Sequence, residues 1–121
     1  MIEKVAFTMY PVENMERARS FYEKILNLKP GHISGGGKWV EYDLPGGGCF
    51  CISDIPVGLK PSADSGGSVA FEVKDIQAFV KELKSKNVKV KVDIFQTPVC
   101  QIAVILDSEG NAVSLHQLNK K

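Results

Sequence analysis

No segment of this 121-residue chain is apolar enough to cross a membrane as a helix. Its longest unbroken apolar run, Ile102 to Leu106, is far below the roughly 20 residues a span requires. Charge of either sign is not in excess: 15 Lys and Arg face 14 Asp and Glu, and the one basic run is Lys120-Lys121. A chain so balanced has no electrostatic footprint for nucleic acid or an anionic membrane, and neither is expected as a partner. Cysteine is scarce and odd in number. Cys49, Cys51 and Cys100 cannot form a disulfide framework, and neighbours two apart in a strand bridge only with strain. They read as reduced thiols in a cytoplasmic protein. The opening Met1-Ile2-Glu3-Lys4 carries an acid and no basic segment followed by an apolar stretch, so no secretory signal is visible. Ser-His-Asp order, Cys-x-x-Cys and His-Glu-x-x-His patterns are all missing. The triplets Gly35-Gly36-Gly37 and Gly46-Gly47-Gly48 open no helix, so they are turns rather than phosphate cradles.

What is present is one unit said twice. Val5 to Val12 is rich in β-formers and aromatics, and Asn14 is placed to cap a helix whose apolar stripe is Met15, Ala18, Phe21, Tyr22 and Ile25. Asn27 suits a left-handed helix end, and Pro30-Gly31 forbids continuation. The second half repeats this with a strand at Ser68 to Val73, a cap at Asp75 and a stripe of Ile76, Phe79, Val80 and Leu83 ending near Asn87. Val12, Asn14 and Met15 each find their counterpart 61 positions on, at Val73, Asp75 and Ile76. Three short β-runs follow each helix: Gly31 to Ser34, Lys38 to Leu44 and Cys49 to Ser53, then Val88 to Asp93, Val99 to Leu106 and Ala112 to Gln117. Matching the turns at Gly47 and Gly110 sets Cys51 opposite Ser114 and Ser53 opposite His116. The expected fold is α+β, with βαβββ modules at 1–53 and 68–121 related by a pseudo-twofold and joined by a Pro- and Gly-rich linker at 54–67.

Alternation says which side of each strand is dry. Val69, Phe71 and Val73 share one face and belong against the helix, leaving Ser68, Ala70 and Glu72 on the other. Two such modules set side by side are expected to form a cleft for a small organic ligand.

The βαβββ plan, the helix segment Phe21-Tyr22-Glu23-Lys24-Ile25-Leu26 and the closing Leu106-Asp107-Ser108-Glu109-Gly110-Asn111 together resemble the vicinal-oxygen-chelate superfamily of glyoxalases, bleomycin-resistance proteins and dioxygenases. The resemblance covers nearly the whole chain. It implies a homodimer and a cleft that commonly holds a divalent metal, with ligands at the start of the first strand and the middle of the last strand of each module. Carried to this sequence, those positions fall on Phe7 and Cys51, and on Ser68 and Ser114. A phenyl ring donates nothing and neutral hydroxyls hold divalent ions poorly, so neither metal nor other cofactor is expected.

The remaining cleft residues follow from period two. Met9 shares a face with Phe7, Glu72 with Ser68, and His116 with Ser114, while Trp39 and Glu41 alternate onto one side of their strand. Glu72 and His116 are the candidates for acid–base chemistry, although a hydrogen-bonding histidine and a rim carboxylate are the commoner roles for such residues. Trp39 suits an aromatic wall but also a core or dimer contact. Cys49 and Cys51 read as small apolar residues, and His32 as a loop residue. The reading is a small-molecule-binding protein without the metal centre; the alternative is a metal-dependent glyoxalase-like lyase or isomerase.

Overall fold

A computed structural model describes residues 1, 3–56 and 58–120. The chain divides into two compact units, Met1–Pro61 and Ser62–Lys121, and each carries one four-stranded sheet. In the first unit the elements run β1 (Thr8–Pro11), α1 (Met15–Ser20), β2 (Pro30–Ser34), β3 (Trp39–Asp43) and β4 (Cys49–Ser53). In the second they run β5 (Val69–Glu72), α2 (Ile76–Ser85), β6 (Val90–Gln96), β7 (Cys100–Leu106) and β8 (Ala112–Leu118). The sheet orders, β1-β4-β3-β2 and β5-β8-β7-β6, are the same. In both units the first strand lies parallel to the last, and the other pairs are antiparallel. The α+β plan of two similar βαβββ modules is what the sequence repeat demanded.

Local chemistry explains the shared outline. Asn14 accepts from the Arg17 amide at 2.9 Å and Asp75 from the Ala78 amide at 3.0 Å, satisfying first-turn donors that no helical carbonyl reaches. Asn27 and Asn87 stand at φ 62° and 63°, the left-handed conformation asparagine tolerates. Each helix then covers one face of its own sheet. In the first unit Tyr22 packs on Phe50, ring centroids 5.0 Å apart, and on Tyr42 at 6.2 Å, above buried Val40 and Ile52. In the second, Ile76, Val80 and Leu83 are buried along α2, and the sheet's own buried residues are Cys100, Ala103, Ile105, Val113 and Leu115. The motif Asp107-Ser108-Glu109-Gly110-Asn111 closes a turn. Asp107 accepts from the Glu109 and Asn111 amides, and Gly110 takes a φ of 90°.

Four expectations are corrected. The first strand begins at Thr8, and Val5, 81% exposed, lies outside it. The first helix does not stay α: Phe21–Ile25 is π-helical, with the Leu26 amide bonding the Phe21 carbonyl five residues back. The wider turn buries Leu26 and leaves Ile25 half-exposed. His32 is no loop residue but lies in the edge strand β2, paired with Glu41 beside a bulge. The strand expected to end at Asp93 runs to Gln96, with two register shifts along it.

Candidate functional site

In each unit the sheet face away from the helix carries candidate residues expected from the sequence. On β5 the burial alternates, with Val69 and Phe71 half-buried and Ala70 and Glu72 exposed. Phe71 is the register partner of buried Leu115, whereas Glu72 pairs with His116 and Ala70 with Ser114. The period-two register therefore stands, and Glu72, Ser114 and His116 share the helix-free face.

Three contacts organise this face. Glu72 Oε1 lies 2.5 Å from His116 Nδ1, and Glu72 Oε2 accepts from the Leu118 amide at 2.9 Å. An ionised carboxylate only accepts, so Nδ1 carries the proton in this contact. The His116 hydrogen bond, helped by the Leu118 amide, holds the Glu72 carboxyl below its ordinary value. Next to them, Ser68 Oγ and Ser114 Oγ hydrogen-bond each other at 3.0 Å. Apolar residues that the sequence reading missed continue the rows. His116 pairs with Ile102 and Ile102 with Phe95, while Ser114 pairs with Val104 and Val104 with Val92. Phe95 is 45% exposed, a large apolar surface in the same cross-strand row as His116, with Ile102 between them. Its face was not legible because Val92 and Phe95 are three apart, a spacing that puts two residues on one side only across a bulge.

The first unit offers an aromatic counterpart. Phe7 meets Trp39 edge to face with centroids 5.2 Å apart, and Trp39 Nε1 donates to Glu41 Oε2 at 2.8 Å. Glu41 pairs in register with Cys51, and Met9 pairs with Cys51 from the other side. Cys51 is fully buried, with Cys49 Sγ 3.8 Å away. Burial pushes the Cys51 thiol up to about 12, and the Cys49 thiol is likewise raised by burial. Open grooves also flank α2, one lined by Phe79 and Glu82 among others and the other by Lys81, Lys84 and Asp93, but they lie on the helix side and carry no histidine.

The matching family model is the Glyoxalase/Bleomycin resistance protein/Dioxygenase superfamily, over residues 4–115. The chain belongs to this superfamily. Among solved structures, the superfamily fold recurs in TnmS3, an antibiotic binding protein from Streptomyces sp. CB03234. It is 22% identical with a TM-score of 0.80, and the match covers 98% of each chain. A genomically encoded fosfomycin resistance protein, FosX, from Listeria monocytogenes is 16% identical with a TM-score of 0.73, covering 97% of this chain and 94% of that one. A lactoylglutathione lyase from Agrobacterium tumefaciens is 15% identical with a TM-score of 0.74, covering 96% and 94%. At these identities the likeness establishes the fold. No curated protein matches the sequence.

The superfamily's divalent metal does not fit these residues. Phe7 presents a ring already packed on Trp39, Ser68 and Ser114 use their hydroxyls on each other, and Cys51 holds its proton tightly. Among the described residues, no three His, Cys, Asp or Glu side chains group as a metal site.

Proposed function

We propose that this protein binds a small organic molecule on the helix-free faces of its sheets without transforming it, and without the superfamily's divalent metal. The observation that carries this reading is the second unit's exposed face, where the oriented Glu72–His116 pair stands in the same row as Ile102 and half-exposed Phe95. Such a surface suits a ligand with an apolar or aromatic body and a group that donates to His116 Nε2 or Glu72. Trp39 and Glu41 offer the same combination on the first unit. The antibiotic binding protein among the structural relatives belongs to the same functional class.

Glu72 and His116 also hold a base, which favours a second reading as a lyase or isomerase. That chemistry needs a Lewis acid to stabilise an enediolate, a contribution of several kcal/mol that nothing among these side chains replaces. Superfamily membership and the open ends of the sheets, with β1 and β2 at the edges of one and β5 and β6 at the edges of the other, support a homodimer as the working assembly.

The test is a thermal-shift screen against metabolites and antibiotics, followed by calorimetric titration of the best ligand. Trp39→Ala, Glu72→Ala and His116→Ala are compared separately, because each unit's face is a candidate in its own right. At least one should weaken binding by about tenfold or more, roughly 1.4 kcal/mol, with the unfolding midpoint little changed. Unaltered affinity in all three variants overturns the site. Robust turnover of methylglyoxal with glutathione and added divalent metal overturns the binding-only reading.

A further inference from the structure

On the reading that the second unit's helix-free face holds the ligand, the side chains there also select its charge, its donor group and its length. One row crosses all four strands, from Glu72 through His116 and Ile102 to Phe95, and the next is Ala70, Ser114, Val104 and Val92. Neither row contains lysine or arginine. Among the described residues of β5 to β8 the one such side chain is Lys91, which pairs with Asp64 at 3.5 Å. The one group in the rows that can turn positive, His116, already faces Glu72. A ligand anion would therefore lose its hydration beside a carboxylate and find no uncompensated cation in return.

The contact with Glu72 also fixes what His116 offers. With its proton on Nδ1, the neutral imidazole presents Nε2 as an acceptor, and Nε2 makes no hydrogen bond among the described residues. The carboxylate polarises the ring and strengthens that acceptor. A hydroxyl can donate to it, whereas an ether or a carboxylate sets lone pairs against a lone pair. We infer that this face takes an uncharged, fused-ring aromatic molecule carrying a hydroxyl, which donates to His116 Nε2 while the far ring lies on Phe95, and that it rejects anions.

Strand spacing sets the length. Neighbouring strands lie about 4.8 Å apart, so Phe95 stands two spacings, roughly 9.6 Å, from His116 across Ile102. A hydroxyl hydrogen-bonded to Nε2 at about 2.8 Å leaves more than one benzene ring can cover, and a second fused ring reaches Phe95. With 45% of its surface exposed, Phe95 can take that ring edge to face or in offset stacking, and Ile102 lies half-buried between. The adjoining row leaves room for a flat body, since Ala70 is small and the Ser114 hydroxyl is engaged with Ser68 at 3.0 Å.

Calorimetric titration of the full chain with 2-naphthol, phenol, 2-methoxynaphthalene and 2-naphthoate tests the class, at about pH 8, where an imidazole is ordinarily neutral. 2-Naphthol should bind at least about tenfold more tightly than each of the other three, roughly 1.4 kcal/mol. His116→Ala should bring 2-naphthol and its methyl ether to equal affinity, and Phe95→Ala should remove most of the advantage over phenol. Both side chains are partly exposed, and unfolding midpoints check that the variants fold. If either does not, the comparison of ligands in the unmodified protein decides. 2-Naphthoate or the methyl ether binding as tightly as 2-naphthol, or no binding of 2-naphthol at about 1 mM, overturns the inference. A screened anion whose affinity depends on Glu72 or His116 overturns the ligand class alone and leaves the binding function standing. Unaltered affinity of a screened ligand in the Trp39, Glu72 and His116 variants overturns that function itself.

Discussion

At the scale of single residues, what separates the two modules is a pair of positions. Glu72 and His116 are register partners in the second unit, and their counterparts in the first unit are Pro11 and Ser53, also register partners. Pro11 offers no side-chain acceptor, and Ser53 is buried with its hydroxyl donating to the Lys38 carbonyl at 2.8 Å. At these matched positions the hydrogen-bonded carboxylate–imidazole pair therefore belongs to the second module. Because Glu72 titrates below its ordinary carboxylate value of 4.5, its contribution to stability is fully present above the unfolded-state range. It is lost as pH falls through the lower folded value. Glu72→Gln should remove that part of the acid dependence, visible when unfolding midpoints of the two proteins converge between about pH 5 and pH 2. Parallel curves at all pH values would show that the pair contributes nothing to folding.

At the scale of elements, caps and bulges decide where each side chain ends up. Asp75 terminates α2 at its start, and Asp75→Ala should cost about 1 kcal/mol, since the Ala78 amide loses its acceptor. Asn87→Ala should cost about 1–2 kcal/mol because alanine is strained at a φ of 63°, whereas Asn87→Gly should be nearly neutral. Urea unfolding measures all three, and an alanine variant as stable as the glycine variant would contradict the conformational account. The π-helical turn after α1 is tied down by polar contacts. Glu23 accepts from Tyr42 Oη at 2.9 Å and from Arg19 Nε at 2.6 Å. Burial alone would raise the Glu23 pKa, but those two hydrogen bonds outweigh it and pull it down. Burial first, and then Glu23, raises the Tyr42 phenol, which stays protonated to donate.

At the scale of the whole molecule, two outcomes follow from the proposed function. Elemental analysis of the purified protein should find no stoichiometric zinc, nickel, iron or manganese, because the superfamily positions offer a phenyl ring, two paired hydroxyls and a buried protonated thiol. About one such ion per chain, lost on substituting Cys51, would contradict this. Sedimentation at high micromolar concentration should give a dimer, since a chain this small leaves sheet edges to cover. A monomer throughout would refute the assembly. No helix among the described residues is long and apolar enough to cross a membrane.

The sequence alone determined the module plan, because caps, apolar stripes and turn residues are local signals and here they occur twice at nearly constant spacing. It also determined which faces of β5 and β8 are dry, since period two survives wherever a strand is regular. Tertiary structure decided what local pattern does not encode. Bulges in β6 rotate Phe95 onto the face of His116, and a π-turn exchanges Ile25 for Leu26 in the core. Strand pairing brings Ser68 to Ser114, Phe7 to Trp39 and Glu72 to His116, from positions far apart in the chain. Such partners are chosen by register across strands, and register is fixed only when the whole sheet has closed its hydrogen bonds.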